Sequence, residues 1–263
     1  MTLTLGSGPL APGSSSTAQL NFSLDDAPAH RLVFQPDQRR IRALVGDAVV
    51  LDTVRAHLLH ETALMPVVYA PDDDFAGGVW TGSTTSTHCP FKGDAAYRSL
   101  QVEGMTVEDL QWRYPEPLTP SSWLKGFAAL DADKVDVWFV EDDRVVGHLR
   151  DPYHRVDAHV SSRRAVVRHG GQVIADSARP VLIFETGLAM KVYVPPADVR
   201  PAAISSGSGK RSICPYKGEA SYWNVGPLPD AAWSYETPLP DALRAQAHLC
   251  FDDSMDGLTV ELD

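Results

Sequence analysis

Apolar residues along this chain recur in short alternating runs rather than in long helical stripes. The stretches IRALVGDAVVLD (41–52) and AVVRHGGQVIAD (165–176) each set a glycine turn, Gly46-Asp47 or Gly170-Gly171, between two such runs. Glycine adopts the positive φ that a tight hairpin requires, so both stretches predict β-hairpins. A short apolar segment follows each, RAHLLHE (55–61) and RPVLIFE (179–185), and reads as a helical turn. Next come strands stopped by proline, PVVYAP (66–71) and KVYVPP (191–196), because proline cannot donate to a ladder. A further strand follows each Cys-Pro pair, then a Trp-x-Tyr segment. A short helix such as PDALRAQAHL (240–249) precedes a last strand, VDVWFV (135–140) or LTVEL (258–262). These strands are too short and too closely spaced for βαβ crossovers. The pattern predicts a mainly β protein with short helices and small antiparallel sheets.

The same order of elements occurs twice because the chain repeats itself. HCPFKGDAAYRSL (88–100) returns as ICPYKGEASYWNV (213–225), with Cys89, Lys92, Gly93 and Tyr97 matching Cys214, Lys217, Gly218 and Tyr222. Upstream, Asp52, Arg55, Glu61, Thr62 and Tyr69 recur as Asp176, Arg179, Glu185, Thr186 and Tyr193. Downstream, WRYPEPL from Trp112 recurs as WSYETPL from Trp233. So many identities in one order, at nearly constant offset, mark a tandem duplication of an ordinary-sized domain. The expected division is a flexible arm over 1–30, a first domain over 31–145, a linker over 146–162 and a second domain over 163–263. An approximate two-fold between the copies is expected, in a monomer or a homodimer.

Composition narrows the function. The 263 residues carry 23 Lys+Arg against 34 Asp+Glu, a formal charge of −11. That balance argues against nucleic acid and anionic membrane as partners, since both call for a basic face. No apolar run reaches the ~18–20 residues of a membrane span. The first residues lack the basic and apolar regions of a signal peptide. Three cysteines without a framework suggest reduced thiols and a cytoplasmic location.

The pattern Asp-Thr/Ser-x-Arg, then Glu-Thr, Tyr, Cys-Pro-Phe/Tyr-Lys-Gly-Asp/Glu-Ala-x-Tyr, and Trp-x-Tyr resembles domain-of-unknown-function family 427. The RDPYHRVD segment (150–157) is similar to the linker of tandem members of that family. The resemblance covers about residues 30–263 and implies a β-tent-like fold in each copy, two small antiparallel sheets leaning over a pocket. It brings no established reaction. Its nucleotidyltransferase label finds no phosphate cradle here: in Ser205–Lys210 (SSGSGK) the first P-loop glycine is Ile204 and Arg211 replaces Ser/Thr. That stretch reads as a flexible loop.

Metal chemistry is not expected. Cys89, Cys214 and Cys250 stand apart, whereas a structural zinc needs about four N/S ligands. His57-Leu-Leu-His60-Glu61 fits neither orientation of the zincin motif. No cofactor fingerprint occurs either, so a cofactor-independent site is expected.

What remains is the set kept in both copies. Glu61 is the expected general acid or base, with His60 or His88 as its partner and Lys92 to stabilise an oxyanion. Burial would raise its carboxyl pKa into the working range. Arg55, Tyr69, Cys89, Tyr97, Trp112 and Tyr114 would line the pocket, joined by His154 and Arg155 of the linker. Arg179, Glu185, Tyr193, Lys217 and Tyr222 would build its counterpart. Duplication preserves fold-forming residues too, so ion-pair struts would look the same. His60 and His88 belong to the first copy alone, where the second has Phe184 and Ile213; imidazoles titrate near neutral pH, which favours the first copy as the active one. Two functions stay open: an acid–base enzyme acting on a small polar or anionic molecule by isomerisation, dehydration, cyclisation or hydrolysis, or a non-catalytic small-molecule binder with an aromatic-walled pocket.

Overall fold

The computed structural model describes residues 28–263; of the expected arm, residues 1–27 lie outside the described residues. The described chain divides into two compact units between Leu149 and Arg150. The protein is mainly β, and the same strand order is built twice.

In the first unit the strands are β1 (Leu32–Pro36), β2 (Ile41–Val45), β3 (Ala48–Thr53), β4 (His57–Glu61), β5 (Val67–Pro71), β6 (Val79–Cys89), β7 (Gly93–Val102), β8 (Met105–Arg113), β9 (Phe127–Leu130), β10 (Val137–Val140) and β11 (Asp143–Arg144). They form a seven-stranded antiparallel sheet, β1-β4-β5-β9-β8-β7-β6, and a four-stranded one, β11-β10-β2-β3. The second unit repeats this with β12 (Val156–Val160), β13 (Ala165–His169), β14 (Gln172–Ser177), β15 (Val181–Glu185), β16 (Lys191–Val194), β17 (Ile204–Cys214), β18 (Gly218–Val225), β19 (Leu228–Ser234), β20 (Leu249–Phe251) and β21 (Leu258–Leu262). Its sheets run β12-β15-β16-β20-β19-β18-β17 and β14-β13-β21. Among the described residues the longest helical stretches are 3₁₀, Thr119–Leu124, which is kinked at Ser121, and Pro240–Ala245. No helix among them is long and apolar enough to cross a membrane.

Each large sheet is covered on both faces. In the first unit, Ile41, Ala43 and Val45 alternate inward from β2 onto Leu58, Val68, Leu100 and Leu110 of the large sheet. The opposite face gathers Leu59, Tyr69, Tyr114 and Leu124. This double covering explains the first of two differences from the sequence reading. RAHLLHE and RPVLIFE contribute the strands β4 and β15, not helical turns, because an inner strand buried on both faces shows a continuous apolar run. Ser205–Lys210 is part of β17, not a loop, and the ladder there is interrupted by a bulge between Ser206 and Arg211.

Residues 146–162, expected as a linker, are divided between the units. Leu149 packs on the first core, while β12 is an edge strand of the second large sheet, with Val156 opposite Glu185. The equivalent register in the first unit sets Leu32 opposite Glu61.

The β4–β5 turn and its counterpart, β15–β16, each require a left-handed residue two positions after the glutamate. In the second unit it is Gly187 (φ 70), but in the first it is Ala63 (φ 64), which is exposed. A Cβ in that conformation costs about 1 kcal/mol. Ala63→Gly should therefore raise stability by about 1 kcal/mol and Gly187→Ala lower it by a similar amount, read from the midpoints of urea unfolding.

Candidate functional site

The repeated glutamate ends a strand, faces the interior and is engaged on two sides. In the first unit Lys92 Nζ donates to Glu61 Oε2 at 2.5 Å and His30 Nε2 lies 2.9 Å from Oε1. In the second, Lys217 Nζ donates to Glu185 Oε2 and His154 Nε2 lies 2.9 Å from Oε1. Each lysine comes from the Cys-Pro-x-Lys-Gly turn, which closes on a bond from Lys92 N to Cys89 O (3.2 Å). The lysine carbonyl then accepts from Leu118 N or Leu239 N at 3.0 Å, anchoring the 3₁₀ segment. Gly93 and Gly218, at φ of 104° and 102°, make the reversal available.

Around this ion pair stand the repeated aromatics. Trp112 Nε1 donates to Tyr69 Oη at 3.0 Å, and Trp233 Nε1 to Tyr193 Oη at 3.1 Å. Burial pushes the hydroxyls of Tyr69, Tyr114, Tyr193 and Tyr235 far up, so all four stay protonated. Lys92 Nζ sits 5.7 Å from the Tyr114 ring centroid. Tyr97 and Tyr222 are fixed by Thr87 (3.0 Å) and Ser212 (2.8 Å). Of the predicted residues, then, Glu61, Tyr69, Cys89, Lys92, Tyr97, Trp112 and Tyr114 share one face, and His154 joins Glu185, Tyr193, Lys217 and Tyr222 in the second unit.

The others lie elsewhere. Successive strand residues face opposite sides, so His60 shares the face of Leu58 while Glu61 shares that of Leu59. His88 points out from the edge strand and pairs with Asp94 at 2.6 Å, two-thirds exposed. Arg55 pairs with Asp74, which also accepts from Thr53 Oγ1 at 2.6 Å; Arg179, Asp198 and Ser177 repeat that arrangement. Neither arginine is the glutamate's partner. Arg155 pairs with Asp157 at 3.0 Å on the surface. Burial does not leave the carboxyl of Glu185 high. It would push Glu185 up, but the hydrogen bond and charge of Lys217, then of His154, outweigh it and hold the group below its ordinary range.

One participant was missed. His30 fell in the expected arm, yet it holds Glu61 as His154 holds Glu185. The signal was present, since His30-Arg31 and His154-Arg155 stand at the same offset as Glu61 and Glu185.

A cavity of about 730 Å³ opens on this face in the second unit, between the Glu185–Lys217 pair and a rim carrying Leu188, Lys191, Lys210 and Met255. Tyr222, Trp233 and Tyr235 form its walls. The first unit has Val67, Thr85 and Lys134 where the second has Lys191, Lys210 and Met255. Lys134 straps its own rim, donating to Asp109 O at 3.2 Å and pairing with Asp131 at 3.1 Å. A methionine can do neither. Among the described residues no three His, Cys, Asp or Glu side chains gather as metal ligands would.

The model of the family described as Domain of unknown function (DUF427) matches residues 33–141 and again 157–261. The chain belongs to that family, with two tandem copies of the domain. No curated protein matches it.

Removing one partner of a buried pair strands the other charge. Lys217→Met should destabilise the second unit by about 3–5 kcal/mol, and Glu185→Leu combined with Lys217→Met should recover much of that loss, as read by chemical denaturation. Because the folded Glu185 carboxyl lies below its ordinary value of 4.5, its contribution is complete above that pH. It is lost as pH falls through the lower folded value. Melting temperature measured from pH 6 downward should show this acid loss, and Glu185→Gln should flatten it.

Proposed function

We propose that this protein is a non-catalytic small-molecule binder whose aromatic-walled pocket lies in the second unit. The observation that carries the reading is the roughly 730 Å³ cavity walled by Tyr222, Trp233 and Tyr235 over an ion pair that is already satisfied. Its size suits a small organic ligand, and rigid ring walls offer contact area at little entropic cost. The acidic balance of the chain, −11 overall, favours such a ligand over nucleic acid.

An acid–base enzyme with its pocket in the first unit has less support. General catalysis calls for a carboxyl poised near the working pH beside a proton partner. Glu61 and Glu185 are each engaged by a lysine and a histidine. His60 and His88, the residues that favoured the first copy, lie away from Glu61.

Equilibrium dialysis of the full chain against a mixed metabolite extract, read by mass spectrometry, tests the reading. At least one compound should be retained unchanged at about one equivalent per chain. Tyr222→Ala should weaken that retention about tenfold, while Tyr97→Ala leaves it intact. Conversion of the retained compound to a product, abolished by Glu185→Gln, would replace the binder with an enzyme.

A further inference from the structure

Three lysines and three carboxylates line the cavity of the second unit, but their engagements differ. Lys217 is bound to Glu185, and Lys191 Nζ is held by Asp253 at 2.8 Å. Of the acids, Asp230 accepts from Ser208 N at 2.9 Å and Ser208 Oγ at 2.7 Å. Asp252 accepts from Ser254 N at 3.1 Å and Ser254 Oγ at 2.6 Å. Lys210 is the exception: among the described residues no carboxylate lies within ion-pair distance of its ammonium. That ammonium sits 4.4 Å from the centroid of the Tyr222 ring, on the cavity wall.

The local backbone is built to present it. Lys210 projects from the bulge in β17, where Gly207 lies so close to Tyr222 O and Asp230 Oδ1 that a Cβ would approach both to 2.5 Å. Asp230, itself at φ 50, clamps this bulge through Ser208. The first unit has a bulge at the same place, one residue shorter, between Gly82 and Ser86. It also keeps the clamp, Asp109 at φ 50 accepting from Thr85 Oγ1 at 2.6 Å. Yet the residue at the position of Lys210 there is Thr85 itself. The fold therefore does not need a cation at this point, and the lysine is an addition to a scaffold that both copies share.

Building on the binder reading above, we propose that the second unit's pocket takes a flat aromatic monocarboxylate, its ring among Tyr222, Trp233 and Tyr235 and its carboxylate on Lys210. The lining decides the charge. Lys217 and Lys191 are held by Glu185 and Asp253, so Lys210, whose charge otherwise reaches only Asp230, is the ammonium a single ligand carboxylate can pair with. A dianion such as a phosphate monoester would carry a second charge toward Asp230 and Asp252 with no cation left to meet it. The aromatic walls decide the shape, since ring faces pack best on flat partners.

Calorimetric titration of the full chain with benzoate, 2-naphthoate and indole-3-carboxylate tests this, each beside its carboxamide, with phenyl phosphate as the dianion. At least one acid should bind about tenfold more tightly than its amide, the usual worth of a charge-assisted hydrogen bond. Phenyl phosphate should bind more weakly than benzoate. Lys210→Thr, the residue the first unit uses, should bring the acid down to the affinity of its amide without moving the melting temperature. The proposal is overturned if acids and amides bind alike, if phenyl phosphate binds best, or if the acid keeps its advantage in Lys210→Thr. Amides that bind and are weakened by Tyr222→Ala would keep the binder reading while removing the carboxylate. Failure of every compound to bind would count against both.

Discussion

A carboxylate placed inside a β-sheet protein must be met by a cation there, and this chain meets that demand twice with the same three residues. His30, Glu61 and Lys92 come from three separate places: the entry to edge strand β1, the end of β4 and the turn between β6 and β7. Bringing them together fixes the register of the edge strand, the direction of the β4–β5 turn and the seat of the Cys-Pro-x-Lys-Gly loop. His154, Glu185 and Lys217 do the same in the second unit. Taking one member away would leave a buried charge with an incomplete shell, a far larger penalty than the loss of a surface pair. The aromatic face is arranged around this knot, with the Trp–Tyr hydrogen bond as a second tie between β5 and β8 and between β16 and β19.

Because the knot and its ties are common to both copies, the differences that shape the pocket fall on its rim. Lys134 spans Asp131 and the carbonyl of Asp109 in the first unit. Met255 replaces it in the second and contributes apolar surface to the cavity instead. Lys191 and Lys210 take the places of Val67 and Thr85. One copy has thus drawn its rim together while the other has gained cations around an aromatic well. Duplication permits this, since the shared interior continues to hold each sheet while the periphery changes.

The repeat and the mainly β class were legible in the sequence because hairpin glycines and repeated Cys-Pro-x-Lys-Gly turns are local signals. Membership of the convergent set was legible too, for Glu61, Lys92, Tyr69 and their partners, since identity across the copies marks what the fold retains. The strand identity of RAHLLHE was not, because burial on both faces erases the alternation that distinguishes a strand. Which face a residue takes was also hidden: His60 beside Glu61 in sequence is across the sheet from it in space. His30 was concealed by its position after a stretch rich in Gly, Pro and Ser, although its offset from His154 matched the repeat. Lys210 was concealed by a glycine-rich segment that reads as a loop until the bulge and its Asp230 clamp are seen.

In this structure Glu185 is an ionised strut and not a poised acid. Its side-chain carboxyl carbon can be followed directly by NMR in the full chain, assigned by comparison with Glu185→Gln, while pH is lowered from neutrality. The account predicts a single titration with its midpoint below the ordinary glutamate value of 4.5, held there by Lys217 and His154. A midpoint displaced upward to about 6–7, where a general acid–base group works, would contradict it.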